Sequence, residues 1–377
     1  MTTLTEASVR SALSRVEDPE IGKPITELDM VKSIELDGNN VSVEVLLTIA
    51  GCPMRNTIES NTRAVLEELE GVGTVNVTLG AMTDEQRRNL RQRLRGDAEE
   101  PEIPFAKPDS TTRVFAVASG KGGVGKSSTT VNLAVSMAAR GLKVGIIDAD
   151  IYGHSIPTLM GSVGQSPTMV DDMIMPPIAH NVKHISIGQF VEGNSPVVWR
   201  GPMLHRAIQQ FLADVFWGDL DVLFMDLPPG TGDVAITVAQ LVPNAELLIV
   251  TTPQSAAAEV AERAGSISQQ TRQRVAGVIE NMSGMIMPDG SVMDIFGSGG
   301  GQQVAERLSV LTGGSVPLLG SIPLDPQLRE HGDDGHPVAL SEPESSAAKA
   351  ISAIVDKLIV RKDSLAGKSL NLGVTRK

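Results

Sequence analysis

The residues alone predict an α/β protein in two parts: a doubly wound, mainly parallel sheet over residues 113–360 and a smaller α/β domain over residues 1–82. Three observations carry this expectation. After residue 113, short continuous apolar runs alternate with amphipathic helical segments, the pattern of strands whose two faces are both covered by helices. Before residue 82, apolar residues recur with period two or on one helical face. Between them, residues 83–112 are charged, contain Pro and show little hydrophobic periodicity, which predicts a short solvated helix followed by an extended linker.

The small domain should open with a helix. Thr3 and Glu6 have capping-box spacing, Val9, Leu13 and Val16 fall on one face, and Asp18-Pro19 stops the run. In the segment 41–49, Val41, Val43, Val45, Leu47 and Ile49 alternate strictly. The preceding Asp37-Gly38-Asn39-Asn40 predicts the turn of a hairpin whose first strand holds Val31 and Ile34. A helix over about 55–69 buries Ile58, Val65, Leu66 and Leu69, and Val75, Val77 and Leu79 alternate again. The order is α-β-β-α-β.

In the larger part, candidate strands are 114–118, 144–147, 182–187, 222–225, 247–250, 275–279 and 318–322. A stripe of Ile351, Ile354, Leu358 and Ile359 predicts a last core-packing helix. Residues 361–377 are basic and read as a frayed tail. Ligands of such a sheet bind at the carboxyl ends of its strands.

Composition narrows the function. The 377 residues carry a formal net charge of −13 and only 3% aromatics, so phosphate backbones are repelled and few rings can stack bases; no nucleic-acid partner is expected. The one cysteine, Cys52, precludes an intramolecular disulfide and fits a reducing compartment. The first twenty residues lack an apolar signal core, and the uncharged stretch 151–170 is too rich in Gly, Pro and Ser to span a bilayer. A cytoplasmic protein with no membrane partner is therefore expected. The six histidines show no metal-ligand spacing, and no nucleophile-base-acid triad can be argued.

One segment carries chemistry. Gly120-Lys121-Gly122-Gly123-Val124-Gly125-Lys126-Ser127 satisfies the P-loop pattern and lies between a strand and a helix. The glycines let backbone N–H groups curl toward phosphate oxygens, and the following helix adds its positive end. Lys126 is placed to neutralise the β- and γ-phosphates and Ser127 to ligate Mg2+. With Ser128 at the helix start, residues 120–128 form the expected nucleotide cradle of a P-loop sheet.

Hydrolysis also needs carboxylates at strand tips. Asp226 ends a buried apolar run, where an unpaired carboxylate is costly unless a cation compensates it; it is the candidate Walker B residue. Asp148 and Asp150 follow another strand two residues apart, so an extended backbone points them the same way. Asp150 is the candidate for orienting the attacking water and Asp148 for the magnesium shell. The alternative for both is a loop-capping role.

The form KGGVGKS resembles the deviant Walker A ATPases, the class of MinD and ParA-like proteins. That resemblance implies that Lys121 acts in trans, reaching the partner's nucleotide across a homodimer; the resemblance aside, Lys121 reads equally well as a solvated lysine. The match narrows to the Mrp-type iron-sulfur cluster carrier ATPases. It rests on DPEIGKPITELDMV, LLTIAGCPMRNTIE, VASGKGGVGKSS, DADIYGHSIP, WRGPM, DLPPGTGD, TTPQ, ENMS, DIFGSGGG and PLLGSIPLDP, in that order. It implies ATP and Mg2+ as cofactors and, as partners, a second copy and apo iron-sulfur client proteins or assembly factors. It also implies that Asn281 contacts adenine, since an amide both donates and accepts, and that Asp233 belongs to a switch region sensing the γ-phosphate.

The chain departs from that family in one place. Cluster-holding members typically carry a C-x-x-C pair after ENMS, whereas here Met287 and Gly290 stand where the cysteines are expected, and neither supplies a thiolate. Cys52 remains, as a cluster or partner contact near Asp18 and Glu20 or as an inert buried residue. Two such thiols in a dimer are two short of four, so any iron-sulfur cluster would be labile or completed by a partner. A second reading stays open: a nucleotide-gated adaptor or positioning ATPase that carries no cluster.

Overall fold

A computed structural model describes residues 4–95, 102–107, 109–150, 153, 155–190, 201–230, 232–254, 257–287 and 289–359. The side chains of residues 95, 201, 202, 233, 257, 258 and 261 lie outside that description, which removes the expected switch carboxylate of Asp233 from view. Among the described residues no helix is long and apolar enough to cross a membrane.

The small domain runs α1 (Glu6–Leu13), β1 (Glu17–Asp18), β2 (Lys23–Pro24), β3 (Val31–Asp37), β4 (Asn40–Leu47), α2 (Arg55–Glu67), β5 (Val75–Ala81) and α3 (Asp84–Arg95). Its sheet has the order β3-β4-β5, with β3 and β4 an antiparallel hairpin closed at Asp37 and Asn40, and β5 parallel to β4. The alternation read from sequence holds: Val41, Val43 and Val45 are buried against α1 and α2 residues such as Leu13 and Ile58. Two readings change. The capping box lies two residues later than expected: the Thr5 hydroxyl accepts from the Ser8 N–H at 3.2 Å while the Ser8 side chain accepts from the Thr5 N–H at 3.0 Å. And α3 is not simply solvated: its Leu90 is buried and Leu94 packs on the same core, so the charged helix closes the small domain with one narrow apolar stripe.

In the large domain the elements are β6 (Arg113–Ser119), α4 (Lys126–Ala138), β7 (Val144–Asp148), α5 (Ser155–Leu159), β8 (Thr168–Val170), β9 (Met173–Met175), β10 (Ile178–Ala179), β11 (Val182–Ser186), α6 (Gly201–Ala213), β12 (Val222–Asp226), α7 (Asp233–Leu241), β13 (Glu246–Thr251), α8 (Ala257–Thr271), β14 (Val275–Ser283), β15 (Met285–Ile286), β16 (Val292–Met293), α9 (Gly300–Thr312), β17 (Leu318–Pro323), α10 (Pro326–Asp333), α11 (Val338–Ser341) and α12 (Ser346–Ile359). All seven expected strands enter one sheet of order β10-β11-β7-β12-β6-β13-β14-β17, parallel throughout except for the antiparallel edge strand β10. One core cluster fills each face, with α6, α7, α8 and α9 over one side and α4 and α12 over the other. The sheet is mainly parallel and doubly wound because nearly every β6, β7 and β12 residue is apolar and buried.

The two domains meet through a hairpin that the sequence reading did not foresee. Val170 and Met173 flank the β8–β9 turn, and together with Met175 and Phe216 they complete the small-domain core. Arg91 of α3 donates to Asp172 at the hairpin turn, 2.8 Å away. Phe216 also receives the Lys183 ammonium 4.8 Å from its ring centroid. We expect Phe216→Ala to cost about 3 kcal/mol of this docking and to split a single thermal unfolding transition into two in differential scanning calorimetry. One unsplit transition at the unaltered temperature would show that this contact does not hold the domains together.

Candidate functional site

The glycine-rich segment links β6 to α4 where neighbouring crossovers diverge: β12 flanks β6 on one side and β13 on the other, the place where open parallel sheets leave a crevice. Gly123 and Gly125 both adopt φ near +75°, the curl that turns N–H groups inward. A Cβ on Gly125 would sit 2.2 Å from the Asn281 amide nitrogen, so that position is closed to any side chain. The start of the loop is anchored as well. Ser119 donates to the Lys121 carbonyl at 3.0 Å, Arg263 of α8 donates to the Gly120 carbonyl at 2.7 Å, and the N–H of Gly230 donates to the Ser119 carbonyl at 3.0 Å. Residues 121–128 line a cavity of about 460 Å³ together with Asp150, Gly153 and Pro229. A larger groove of about 670 Å³ beside α6 is lined mostly by apolar side chains such as Ile174, Phe190 and Phe211, and offers no comparable set of phosphate-binding amides.

Beneath the loop the charges converge. Lys126 is buried, and its ammonium lies 2.6 Å from Asp226, which is wholly buried at the tip of β12. The same carboxylate oxygen accepts from the Ser127 hydroxyl at 2.5 Å, while its other oxygen accepts from Thr130 at 2.9 Å. Asp148 lies beside Asp226 in the parallel register of β7 and β12. It accepts hydrogen bonds from the Ser186 hydroxyl at 2.9 Å and the Asp150 N–H at 3.1 Å. Burial, and then the neighbouring Asp226 charge, push the Asp148 carboxyl up to about 7. Asp150 is partly exposed on the cavity wall and accepts from the Gly153 N–H at 3.2 Å. The donor set of carboxylates and a hydroxyl consists of hard oxygens, the chemistry that suits Mg2+. Ser127, Asp226 and Asp148 are thus together, with Asp150 above them.

Two further residues make contacts within the chain. Asn281 is buried under the loop, where its amide donates to the Val124 carbonyl at 2.9 Å. One of the two N–H groups of the amide is thereby committed to bracing the loop. Lys121 lies at the cavity rim, and within the chain its ammonium donates to the Gln254 carboxamide oxygen. Thr130, Ser186, Gln254 and Arg263 were missed from sequence. Of these only Thr130 had a local signal, since it follows Lys126 by one helical turn.

Cys52 lies apart from the nucleotide cavity, near the domain junction. It is buried, and its thiol lies 3.6 Å from a Glu20 carboxylate oxygen. Burial, and then the charge of Glu20, push the thiol up to about 12. Glu20 itself is raised to about 7 by burial and by Asp18, whose own carboxylate accepts from the N–H groups of Glu20 and Ile21 at 2.8 and 3.0 Å. Lys183 of β11 interacts electrostatically with both acids from the large domain. Among the described residues no group of three or more His, Cys, Asp or Glu side chains is arranged to hold a metal ion. Met287 and Gly290 flank the tight turn between β15 and β16, where the Gly290 N–H donates to the Met287 carbonyl at 2.9 Å.

Comparison with known proteins agrees with this geometry. Residues 110–359 match the family profile described as ParA, NUBPL iron-transfer P-loop NTPase, and residues 6–78 match that of an iron-sulfur cluster assembly protein. An iron-sulfur cluster carrier protein of Mycobacterium tuberculosis is 63% identical over 373 residues, covering 98% of this chain and 97% of that one. A protein of the same name from Escherichia coli is 36% identical over 354 residues, covering 93% and 91% respectively. Among solved structures, a nucleotide-binding protein of Archaeoglobus fulgidus in complex with ADP is 34% identical with a TM-score of 0.54, covering 71% of this chain and 96% of that one.

Two outcomes test the site as drawn. Gly125→Ala meets both an unfavourable φ and the Asn281 amide. Affinity for a fluorescent ATP analogue should therefore fall by roughly tenfold or more, with the circular dichroism spectrum kept; undiminished affinity would mean that the loop does not grip phosphates. Cys52, held as a thiol, should react slowly with iodoacetamide at pH 8 in the native chain and quickly after denaturation. Fast native alkylation would contradict its burial.

Proposed function

We propose a function from the premise that this chain belongs to the family of iron-transfer P-loop NTPases, with an iron-sulfur cluster assembly domain at its N-terminal side. It binds ATP with Mg2+, hydrolyses it as a homodimer, and uses the cycle to bind iron-sulfur clusters and pass them to apo-proteins. The observation that carries the reading is the buried Lys126, Asp226 and Ser127 set beneath a loop curled by Gly123 and Gly125.

In this mechanism the loop amides and the N-terminal end of α4 bind the phosphates, and Lys126 transfers its ammonium from Asp226 to the β- and γ-phosphate oxygens. Ser127 and Asp226 would hold Mg2+, with Asp148 placed to serve its water shell, and the ion would supply positive charge to the phosphate oxygens. Asp150, on the cavity wall, orients the attacking water. Lys121 of a second copy adds a cation where negative charge spreads in the transition state. The nucleotide signal has a covalent path toward the small domain. The segment after Asp150 continues through α5 into the β8–β9 hairpin, whose apolar side chains belong to the small-domain core. A shift at residues 148–150 then alters how Cys52 is covered.

The reading of a nucleotide-gated adaptor that carries no cluster is favoured by one observation: the β15–β16 turn, where the family pair is expected, bears Met287 and Gly290. Two experiments decide. Lys126→Ala should lose ATP turnover; normal hydrolysis by this variant would remove the catalytic assignment. In anaerobic reconstitution with iron and sulfide, the native chain should take up cluster and transfer it to an apo-protein, and Cys52→Ser should do so less, followed by visible absorbance. Equal, negligible content in both would leave the adaptor reading standing.

A further inference from the structure

We propose that Gln254 is a positioning residue for Lys121, holding its ammonium in cis until two copies of the chain close; this rests on the reading that Lys121 acts in trans. The two side chains meet beside the loop, Lys121 donating to the Gln254 carboxamide oxygen across 133 residues of sequence.

Both backbones beneath this contact are fixed. On the lysine side, the Lys121 carbonyl accepts from Ser119 and the preceding Gly120 carbonyl accepts from Arg263. A Cβ on Gly120 would lie 2.9 Å from the Val260 Cα, so the loop is pressed directly onto α8. On the glutamine side, Thr251, Thr252 and Pro253 are buried at the end of β13. The Pro253 carbonyl lies so close to Gly300 that a Cβ there would come within 2.6 Å of it. Gln254 itself is exposed. The adjustable parts are thus the two long side chains, joined by one solvent-accessible hydrogen bond.

The chemistry of that bond suits a holder that must let go. A neutral amide oxygen orients an ammonium without neutralising it, and an exposed bond of this kind is weak enough to be exchanged for a phosphate oxygen. A carboxylate at the same place would form an ion pair and compete harder with the partner's nucleotide. Lys121 reaches another copy only by leaving Gln254, so the cis bond sets part of the threshold for productive association.

The test is ATP turnover of the full chain as a function of protein concentration, comparing wild type, Gln254→Leu, Gln254→Glu and Lys121→Ala. Removing the acceptor in Gln254→Leu should lower the half-maximal protein concentration by roughly threefold to tenfold, and Gln254→Glu should raise it, with KM for ATP unchanged in both. Opposite signs from two substitutions at one position are not what a merely structural role gives. Shifts in the same direction, or no shift, would overturn the proposal while leaving the trans lysine intact. If Lys121→Ala kept the wild-type rate and concentration dependence, the trans reading would fail and the proposal with it.

Discussion

The fold is organised around an ion pair that cannot be opened without replacement. Lys126 and Asp226 are both buried, from the first turn of α4 and the tip of β12, and Ser127 and Thr130 each donate a further hydrogen bond to the carboxylate. Deleting either partner of such a pair leaves an uncompensated charge in the interior, a loss of about 3–5 kcal/mol. That constraint explains the surrounding glycines. Lys126 reaches the floor of the sheet only because the loop before it turns through two residues of positive φ, and Gly125 must also clear the Asn281 amide that supports it from β14. The same geometry suits the proposed chemistry, because an ammonium already desolvated beside a carboxylate has little reorganisation left when phosphate oxygens and a divalent cation take their places.

How much of this could be read in advance follows from the range of each interaction. The seven parallel strands were legible because burial on both faces writes a continuous apolar run into most of them, and the loop was legible because its glycines, lysine and serine are contiguous. Asp148, Asp150 and Asp226 were legible as acids at strand tips, and register brings the first and last side by side. The brace from Asn281 to Val124 and the contact from Lys121 to Gln254 join residues 157 and 133 positions apart. Nothing local marks either pairing. The β8–β9 hairpin escaped notice because its strands are three residues long, too short for alternation to stand out. The packing of α3 escaped notice because its apolar stripe is diluted by many charges.

That hairpin changes the meaning of the two-domain organisation. Had the domains been joined only through residues 83–112, a nucleotide cycle in one would have had little purchase on the other. Instead α3 returns the chain to the hairpin through Arg91 and Asp172, and Val170, Met173, Met175 and Phe216 complete the small-domain core from the large-domain side. The hairpin follows the strand that ends at Asp148 after one intervening short helix, α5. On the proposed reading, small displacements near the γ-phosphate position would be passed to a packed interface, and packed interfaces yield in steps rather than continuously.

The Cys52 environment then sets a condition on any cargo. A thiol activated for nucleophilic chemistry or metal ligation usually sits among cations or at a helix N-terminus, where its proton leaves easily. Here burial first, and then Glu20 and Asp18 beside it, hold the proton on, and Lys183, itself pushed down to about 8 by burial, interacts with the carboxylates and donates to the Phe216 and Trp217 carbonyls. In this arrangement Cys52 is thus protected rather than primed. Two changes would make it a ligand: withdrawal of the acids as the junction opens, or arrival of a cation strong enough to displace the proton, which is what iron provides. The second route suits a carrier that must not capture clusters at random, since the acids that suppress the free thiol are the groups that would favour an incoming positive charge.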